Sequence, residues 1–168
     1  MTNHSEITEA TQAAHKAIDG VKSDVDTARE QASELMEEAA AHGWEGVAAT
    51  MQQAIEALEA VTASLSSADD SLEAVLRSLG EITSKLSSGE VAQRLGNTAR
   101  ELHEIRSGVD TAAGSLNDAV NAAAQAEANA LSAALQGVSD QFDGLRRILE
   151  DLKTKTDEEG QAAESWGN

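Results

Sequence analysis

Apolar residues recur along this chain at alternating steps of four and three positions. One such series runs from Ile7 to Ala39, a second from Val47 to Leu86, and a third from Val91 to Ala123. This spacing is the heptad pattern of amphipathic helices that pack along a seam. The sequence therefore predicts long helices over about residues 5–42, 46–87 and 90 onward.

Two short segments interrupt the heptads. Gly43-Trp44-Glu45-Gly46 places two glycines three residues apart, and Gly43 suits the position that follows a helix C-terminus. Ser87-Ser88-Gly89 provides the second break, with Ser88 as a candidate N-cap for the helix that follows. Both segments predict that the chain reverses direction.

The apolar pattern slips by one position near residues 126–130 and then resumes from Leu131 to Leu152. Such a slip either bends a continuous helix or marks a reversal, and residues 121–134 contain no glycine or proline to decide between them. Residues 90–157 are therefore either one long helix or a second helical hairpin.

The two halves of the chain resemble each other at an offset of 84 residues. Residues 22–28 align with residues 106–112, sharing a Ser-x-Val-Asp-Thr-Ala pattern, and the apolar series and its phase slip also correspond. Because 84 is a multiple of seven, heptads alone produce part of this match. The shared slip and the shared motif are consistent with a duplicated helical hairpin.

The composition agrees with an all-α fold. Aromatic residues make up 2% of the chain and proline is absent, so Ala, Leu, Val and Ile must form the core, and nothing favours a strand. We predict long antiparallel amphipathic helices in a coiled-coil-like three- or four-helix bundle. The expected organisation is a single bundle domain over 5–158, comprising a hairpin over 5–87 and a second hairpin or long helix over 90–157, followed by a flexible tail over 159–168.

The formal charge of −18 limits the classes of partner. Such a charge repels phosphate backbones and anionic lipid, so we expect no nucleic acid as a partner, and a basic protein fits better. No apolar run is long enough for membrane insertion, and the polar first residues do not lead into a signal-peptide core. We therefore expect a protein that is cytoplasmic, or secreted without a cleaved signal peptide.

The sequence carries no recognisable catalytic or metal-binding motif. The four histidines are scattered singly, the acidic clusters lack the pattern of a calcium loop, and there is no cysteine. We expect no enzymatic activity, no cofactor and no metal site, and instead expect a protein that binds another protein.

Trp44 and Trp166 are the two tryptophans, and both are candidate partner-binding residues, together with Gly43 and Gly46 beside Trp44. The Trp44 ring either caps the end of the bundle or is presented to a partner. Trp166 lies in the expected tail, where it is either an exposed anchor or unstructured.

A helix of about 40 residues, a Trp44-Glu45-Gly46 turn and a second helix of similar length resemble the hairpins of the WXG100 family, the small substrates of type VII (ESX) secretion. The similarity covers roughly residues 5–87. It implies a leaderless exported protein that dimerises as a four-helix bundle, often beside a larger toxin or effector. The chain is longer than that family's single hairpin and, having no tyrosine, lacks its Tyr-x-x-x-Asp/Glu export motif. The helices are also similar to uncharacterised actinobacterial helical proteins associated with polymorphic toxins.

These features favour a non-enzymatic interaction module acting as an adaptor or accessory protein of a type VII-like secretion or toxin system, in a hetero-complex with a toxin or effector protein. The heptads in the second half suggest an alternative, a homo-oligomeric coiled-coil scaffold whose partner is another copy of the chain. The charge suggests another, an acidic antagonist of a basic partner.

Overall fold

A computed structural model describes residues 4–166, apart from the side chain of His4, and these residues form four helices with no strand. This confirms the predicted all-α fold, with four helices rather than three. The helices are α1 (His4–Ala41), α2 (Glu45–Gly80), α3 (Ser88–Gln125) and α4 (Asn129–Trp166).

The helices form an antiparallel bundle in which sequential neighbours pack together. α1 packs on α2, α2 on α3 and α3 on α4, and a smaller interface between α4 and α1 closes the ring. The slip near residues 126–130 is therefore a reversal, and the second half of the chain is a second hairpin. This up-down-up-down arrangement follows from the short connections between helices.

The predicted seam residues form the core of the bundle. Nearly all are buried, from Ile7 and Ile18 on α1 to Leu149 and Leu152 on α4. Leu35, Val47, Leu86 and Val91 are the exceptions, and they are only partly buried. Three threonines also lie in the core, and each donates its hydroxyl to the carbonyl one turn earlier, which satisfies the buried polar atom: Thr11, Thr98 and Thr156.

The predicted end of the second helix was wrong, because α2 stops at Gly80 rather than near residue 87. Apolar residues continue the heptad spacing beyond this point, and Ile82 is still buried at 8% exposure. Glycine is a poor helix former, so Gly80 is a favourable place for the helix to end. Ile82 therefore packs against the bundle from the connecting segment.

The N-cap of α3 is Ser87 rather than Ser88. The Ser87 side chain accepts a hydrogen bond from the Glu90 backbone N–H at 3.2 Å, and the Ser87 N–H donates to Glu90 Oε2 at 2.8 Å. This reciprocal capping box satisfies two N–H groups that the first turn leaves unpaired. The hydrogen bond from the Ser87 N–H stabilises the Glu90 carboxylate and, together with the Ser87 hydroxyl, lowers its pKa below the ordinary value of 4.5.

The expected flexible tail over 159–168 is helical as far as it is described, because α4 continues through Trp166. Residues 167–168 lie outside the described part of the chain. A Cβ atom at Gly160 would lie 3.5 Å from Leu95 Cβ, so α4 still contacts α3 at this level. Small residues at Gly160 and Ala163 extend the seam, a signal that the sequence analysis did not use.

The 84-residue offset found in the sequence is also present in the structure. α1 shifted by 84 positions gives residues 88–125, the bounds of α3, and Glu45 shifted in the same way gives Asn129, the start of α4. The internal repeat therefore extends to helix boundaries, which heptad periodicity alone does not determine. This agreement supports the duplicated hairpin.

The α1–α2 and α3–α4 turns share one hydrogen-bonding pattern. Trp44 N–H donates to the Ala39 carbonyl at 2.8 Å, and at the equivalent place Ala128 N–H donates to Ala123 at 2.9 Å. Both turns have a residue with positive φ, Gly43 at 75° and Glu127 at 55°. These are Schellman motifs, in which the residue after the C-cap adopts the left-handed conformation.

Because only glycine adopts this conformation without strain, we expect Glu127→Gly to stabilise the protein by up to about 1 kcal/mol and Gly43→Ala to destabilise it by about 1 kcal/mol. A Cβ atom at Gly43 would meet nothing within 4 Å, so the cost there is conformational rather than steric. Urea unfolding monitored by circular dichroism measures both changes.

The matched control is Glu127→Ala, which removes the charge but keeps a side chain in the strained conformation. We expect little change in its free energy of unfolding. Equal stabilisation by Glu127→Ala and Glu127→Gly would show that charge, rather than backbone strain, determines the effect.

Candidate interaction surface

Trp44 lies in the α1–α2 turn, at one end of the bundle, and is 56% exposed. It therefore does not cap the hydrophobic core. Its ring stacks on His42, with ring centroids 4.7 Å apart and planes inclined by 21°. His42 Nδ1 lies 2.8 Å from the Glu38 carbonyl oxygen, which holds the imidazole against α1. The stack holds a large apolar ring at the surface.

The two glycines predicted beside Trp44 have different roles. Gly43 supplies the left-handed backbone of the turn. Gly46 lies in the first turn of α2, where a Cβ atom would meet nothing within 4 Å. The backbone therefore favours glycine at position 43 and has no such preference at position 46.

The structure does not bring Trp166 to the same surface as Trp44. Trp166 is the last residue of α4, at the opposite end of the bundle, and is 79% exposed. A helix of this length spans about 57 Å at 1.5 Å per residue, so the two rings are far apart. They cannot contribute to one compact binding site.

Charge is unevenly distributed along the bundle. Residues 23–62 and 107–147 form the half of the bundle that contains Trp44, and we call it the acidic half. It holds 14 Asp and Glu residues against three Lys or Arg residues, Arg29, Arg146 and Arg147, whereas the other nine basic residues lie outside it. Within it, four exposed carboxylates lie on the last two turns of α1 and the first turn of α2, nearest to Trp44 along the chain: Glu34, Glu37, Glu38 and Glu45.

A second polar cluster lies between α1 and α2, nearer the other end of the bundle. His15 Nδ1 lies 3.3 Å from Asp19 Oδ2, and His15 Nε2 lies 3.2 Å from Asp69 Oδ1 and 3.4 Å from Glu73 Oε1. The Lys22 ammonium lies 3.9 Å from Asp69 Oδ2. We call His15, Asp19, Asp69 and Glu73 the α1–α2 cluster.

Asp69 is the most buried carboxylate of this cluster, with 14% of its side chain exposed. Burial raises its pKa above the ordinary value of 3.8, and the neighbouring Asp19 carboxyl raises it further, while His15 and Lys22 act in the opposite direction. Its buried Oδ1 atom faces His15 Nε2 without forming a well-aligned hydrogen bond. The fold therefore places this carboxylate where burial and a neighbouring carboxyl oppose its charge, and His15 and Lys22 offset only part of that effect.

This cluster is not predicted from the sequence, because its two pairs of residues lie 50 or more positions apart along the chain. The available signal was a pair of potential ligands four residues apart on each helix, His15 with Asp19 and Asp69 with Glu73. Residues at this spacing lie on one helix face. Only the register between α1 and α2 shows that the two pairs face each other.

None of the helices within residues 4–166 combines the length and the apolar character needed to cross a membrane. The chain was also compared with family models, curated proteins and solved structures, and none of them matches.

Proposed function

We propose that this protein is a non-enzymatic helical interaction module that binds a basic protein through the acidic half around Trp44. The observation that carries the proposal is an exposed tryptophan, held by stacking on His42, in the half of the bundle where Asp and Glu outnumber Lys and Arg by 14 to three. Exposed tryptophans frequently dominate the binding energy at protein interfaces. The surrounding carboxylates attract a basic partner and repel an acidic one.

The chemistry of the partner follows from the same surface. Arginine and lysine side chains pair with carboxylates, and they also bind the face of a tryptophan ring through cation–π contacts. We infer that the partner presents a basic segment that contacts Trp44 and the acidic helix ends together. The WXG-type turn supports an accessory role in a type VII-like secretion or toxin system, with the basic partner as the toxin or effector.

The distribution of apolar residues favours this proposal over an extended homo-oligomeric scaffold. The heptad residues of each helix are buried against the other helices of the same chain. Within residues 4–166, the exposed large hydrophobic residues are limited to three: Trp44, Ile148 and Trp166. A second copy would therefore have to bind without a continuous apolar stripe. A local site at the Trp44 end fits the surface better.

We expect Trp44→Ala to weaken partner binding by about 2 kcal/mol, or about 30-fold in Kd, while leaving the helix content unchanged. The experiment uses wild-type and variant proteins as baits, in lysate and culture medium of the source organism, with quantitative mass spectrometry. Isothermal titration calorimetry then measures the Kd of the purified partner.

Trp166→Ala is the matched control, because it removes an exposed tryptophan from the opposite end of the bundle. The expected partner is basic, is retained by Trp166→Ala and binds more weakly as salt concentration rises. A partner whose Kd is the same for wild type and Trp44→Ala, or is insensitive to salt, would contradict the proposal.

A further inference from the structure

The α1–α2 cluster consists of two pairs of potential metal ligands on facing helices. His15 and Asp19 lie one turn apart on α1, and Asp69 and Glu73 lie one turn apart on α2. Metal sites in helical bundles are built from such pairs, because residues four apart project from the same face. The cluster combines one imidazole with carboxylates, so it is more than a patch of acidic surface.

The ligand atoms already converge. One potential ligand atom from each of His15, Asp19 and Asp69 lies within 4.8 Å of the other two, and Glu73 Oε1 lies 3.4 Å from the His15 ring. In a tetrahedral zinc site with ligands at about 2.0–2.1 Å, the ligand atoms lie about 3.4 Å apart. Side-chain adjustments of about an ångström would therefore complete the coordination.

The electrostatics of the cluster favour an added cation. Three carboxylates surround His15, and Lys22 pairs with one of them, Asp69. The Lys22 ammonium lies 3.9 Å from Asp69 Oδ2, whereas the buried Asp69 Oδ1 faces His15 Nε2 at 3.2 Å without forming a well-aligned hydrogen bond. A metal ion at Oδ1 would satisfy this atom and leave the Lys22 contact in place.

We propose that His15, Asp19 and Asp69 bind a divalent transition-metal ion of the Zn²⁺ type, with Glu73 at the rim of the site, and that the ion joins α1 to α2. Imidazole with carboxylate is a donor set that suits Zn²⁺, whereas Mg²⁺ and Ca²⁺ prefer oxygen ligands alone. His15 and Glu73 line a surface groove, together with Lys16, and this groove opens one side of the cluster to solvent. This proposal is independent of partner binding at Trp44.

The test is isothermal titration calorimetry of ZnCl₂ into the untagged, metal-free full chain at physiological ionic strength, where weak binding to surface carboxylates is screened. We expect one Zn²⁺ per chain in the wild type. Asp69→Asn should raise the Kd at least about tenfold, since even residues that only support metal ligands contribute about 10- to 100-fold. Asp70→Asn is the matched control, because Asp70 is adjacent, exposed and outside the cluster.

A second pair of variants tests the imidazole. His15→Ala should lose the site, whereas His103→Ala, which changes an exposed histidine on α3, should keep it. Because ligands that bind only the folded state stabilise it, Zn²⁺ should raise the Tm of wild type, Asp70→Asn and His103→Ala, but not of His15→Ala. Circular dichroism without metal verifies that each variant is folded.

Equal Kd values for Asp69→Asn and Asp70→Asn, or Zn²⁺ binding that survives His15→Ala, would overturn the proposal and indicate general attraction of cations to an acidic surface. Neither result would bear on the Trp44 surface, because the titration contains no protein partner.

Discussion

Phe142→Ala should lower the free energy of unfolding by about 3–5 kcal/mol, the range observed when a buried phenylalanine is truncated and leaves a cavity. Phe142 is the only phenylalanine in the chain, is 1% exposed and is among the largest fully buried side chains. It lies on α4 where that helix packs on α3, near Leu116 and Val120. Urea unfolding monitored by circular dichroism measures the change.

The internal repeat supplies the control for this substitution. Leu58 occupies the equivalent position 84 residues earlier and is also fully buried. Phe142→Leu therefore places the residue of the first hairpin in the second, and we expect it to cost less than about 1.5 kcal/mol because most of the apolar volume is kept. A cost of under about 1 kcal/mol for Phe142→Ala would show that α4 is not tightly packed at this level.

Helices and seams could be predicted from this sequence because heptad spacing directly determines which face of a helix is buried. Helix ends depend on weaker and competing signals. Ile82 and Leu86 continue the heptad past the end of α2, whereas Gly80 and the Ser87–Glu90 capping box determine where the helices end and begin. Local capping energies here outweigh the periodicity.

The sequence does not decide the α3–α4 reversal, because its left-handed position holds Glu127, which gives no turn signal. The equivalent position in the first turn is Gly43, a residue that favours this conformation and therefore signals a turn. Applying the 84-residue repeat to the turn itself would have assigned the second reversal, since the two turns share their hydrogen bonds. Repeats therefore carry information about turns as well as about cores.

The candidate sites were less predictable than the fold. Trp44 was identified from the sequence, but its exposure depends on the His42 stack and on the turn geometry. Trp166 was grouped with it, although the antiparallel path of α4 places it at the other end. Predicting the α1–α2 cluster requires knowledge of the register between α1 and α2, and this register depends on packing between residues that are distant in sequence.

We expect the two hairpins, produced separately as residues 1–84 and 85–168, to show no cooperative thermal unfolding alone and to recover it when mixed. Each hairpin buries its apolar face against the other through the α2–α3 and α1–α4 interfaces. An isolated pair of helices exposes that face, and tertiary packing supplies most of the stability of such helices. Circular dichroism melts of each piece and of the equimolar mixture test this expectation.

Charge favours pairing between the two different hairpins over self-pairing of the first. Residues 1–84 contain 16 acidic and 4 basic residues, whereas residues 85–168 contain 14 and 8, so the first half carries twice the formal negative charge of the second. Two copies of the first hairpin therefore repel each other more strongly than the natural pair does.

The intact chain is the control for the two pieces, and its Tm should not change with protein concentration. A Tm that rises with concentration would instead support the homo-oligomeric scaffold, because assembly stabilises the folded state by mass action. A concentration-independent melt of the isolated first hairpin would show that it folds alone, and would contradict the requirement for the second hairpin. The intramolecular bundle predicts neither result, because each hairpin supplies the apolar surface that the other lacks.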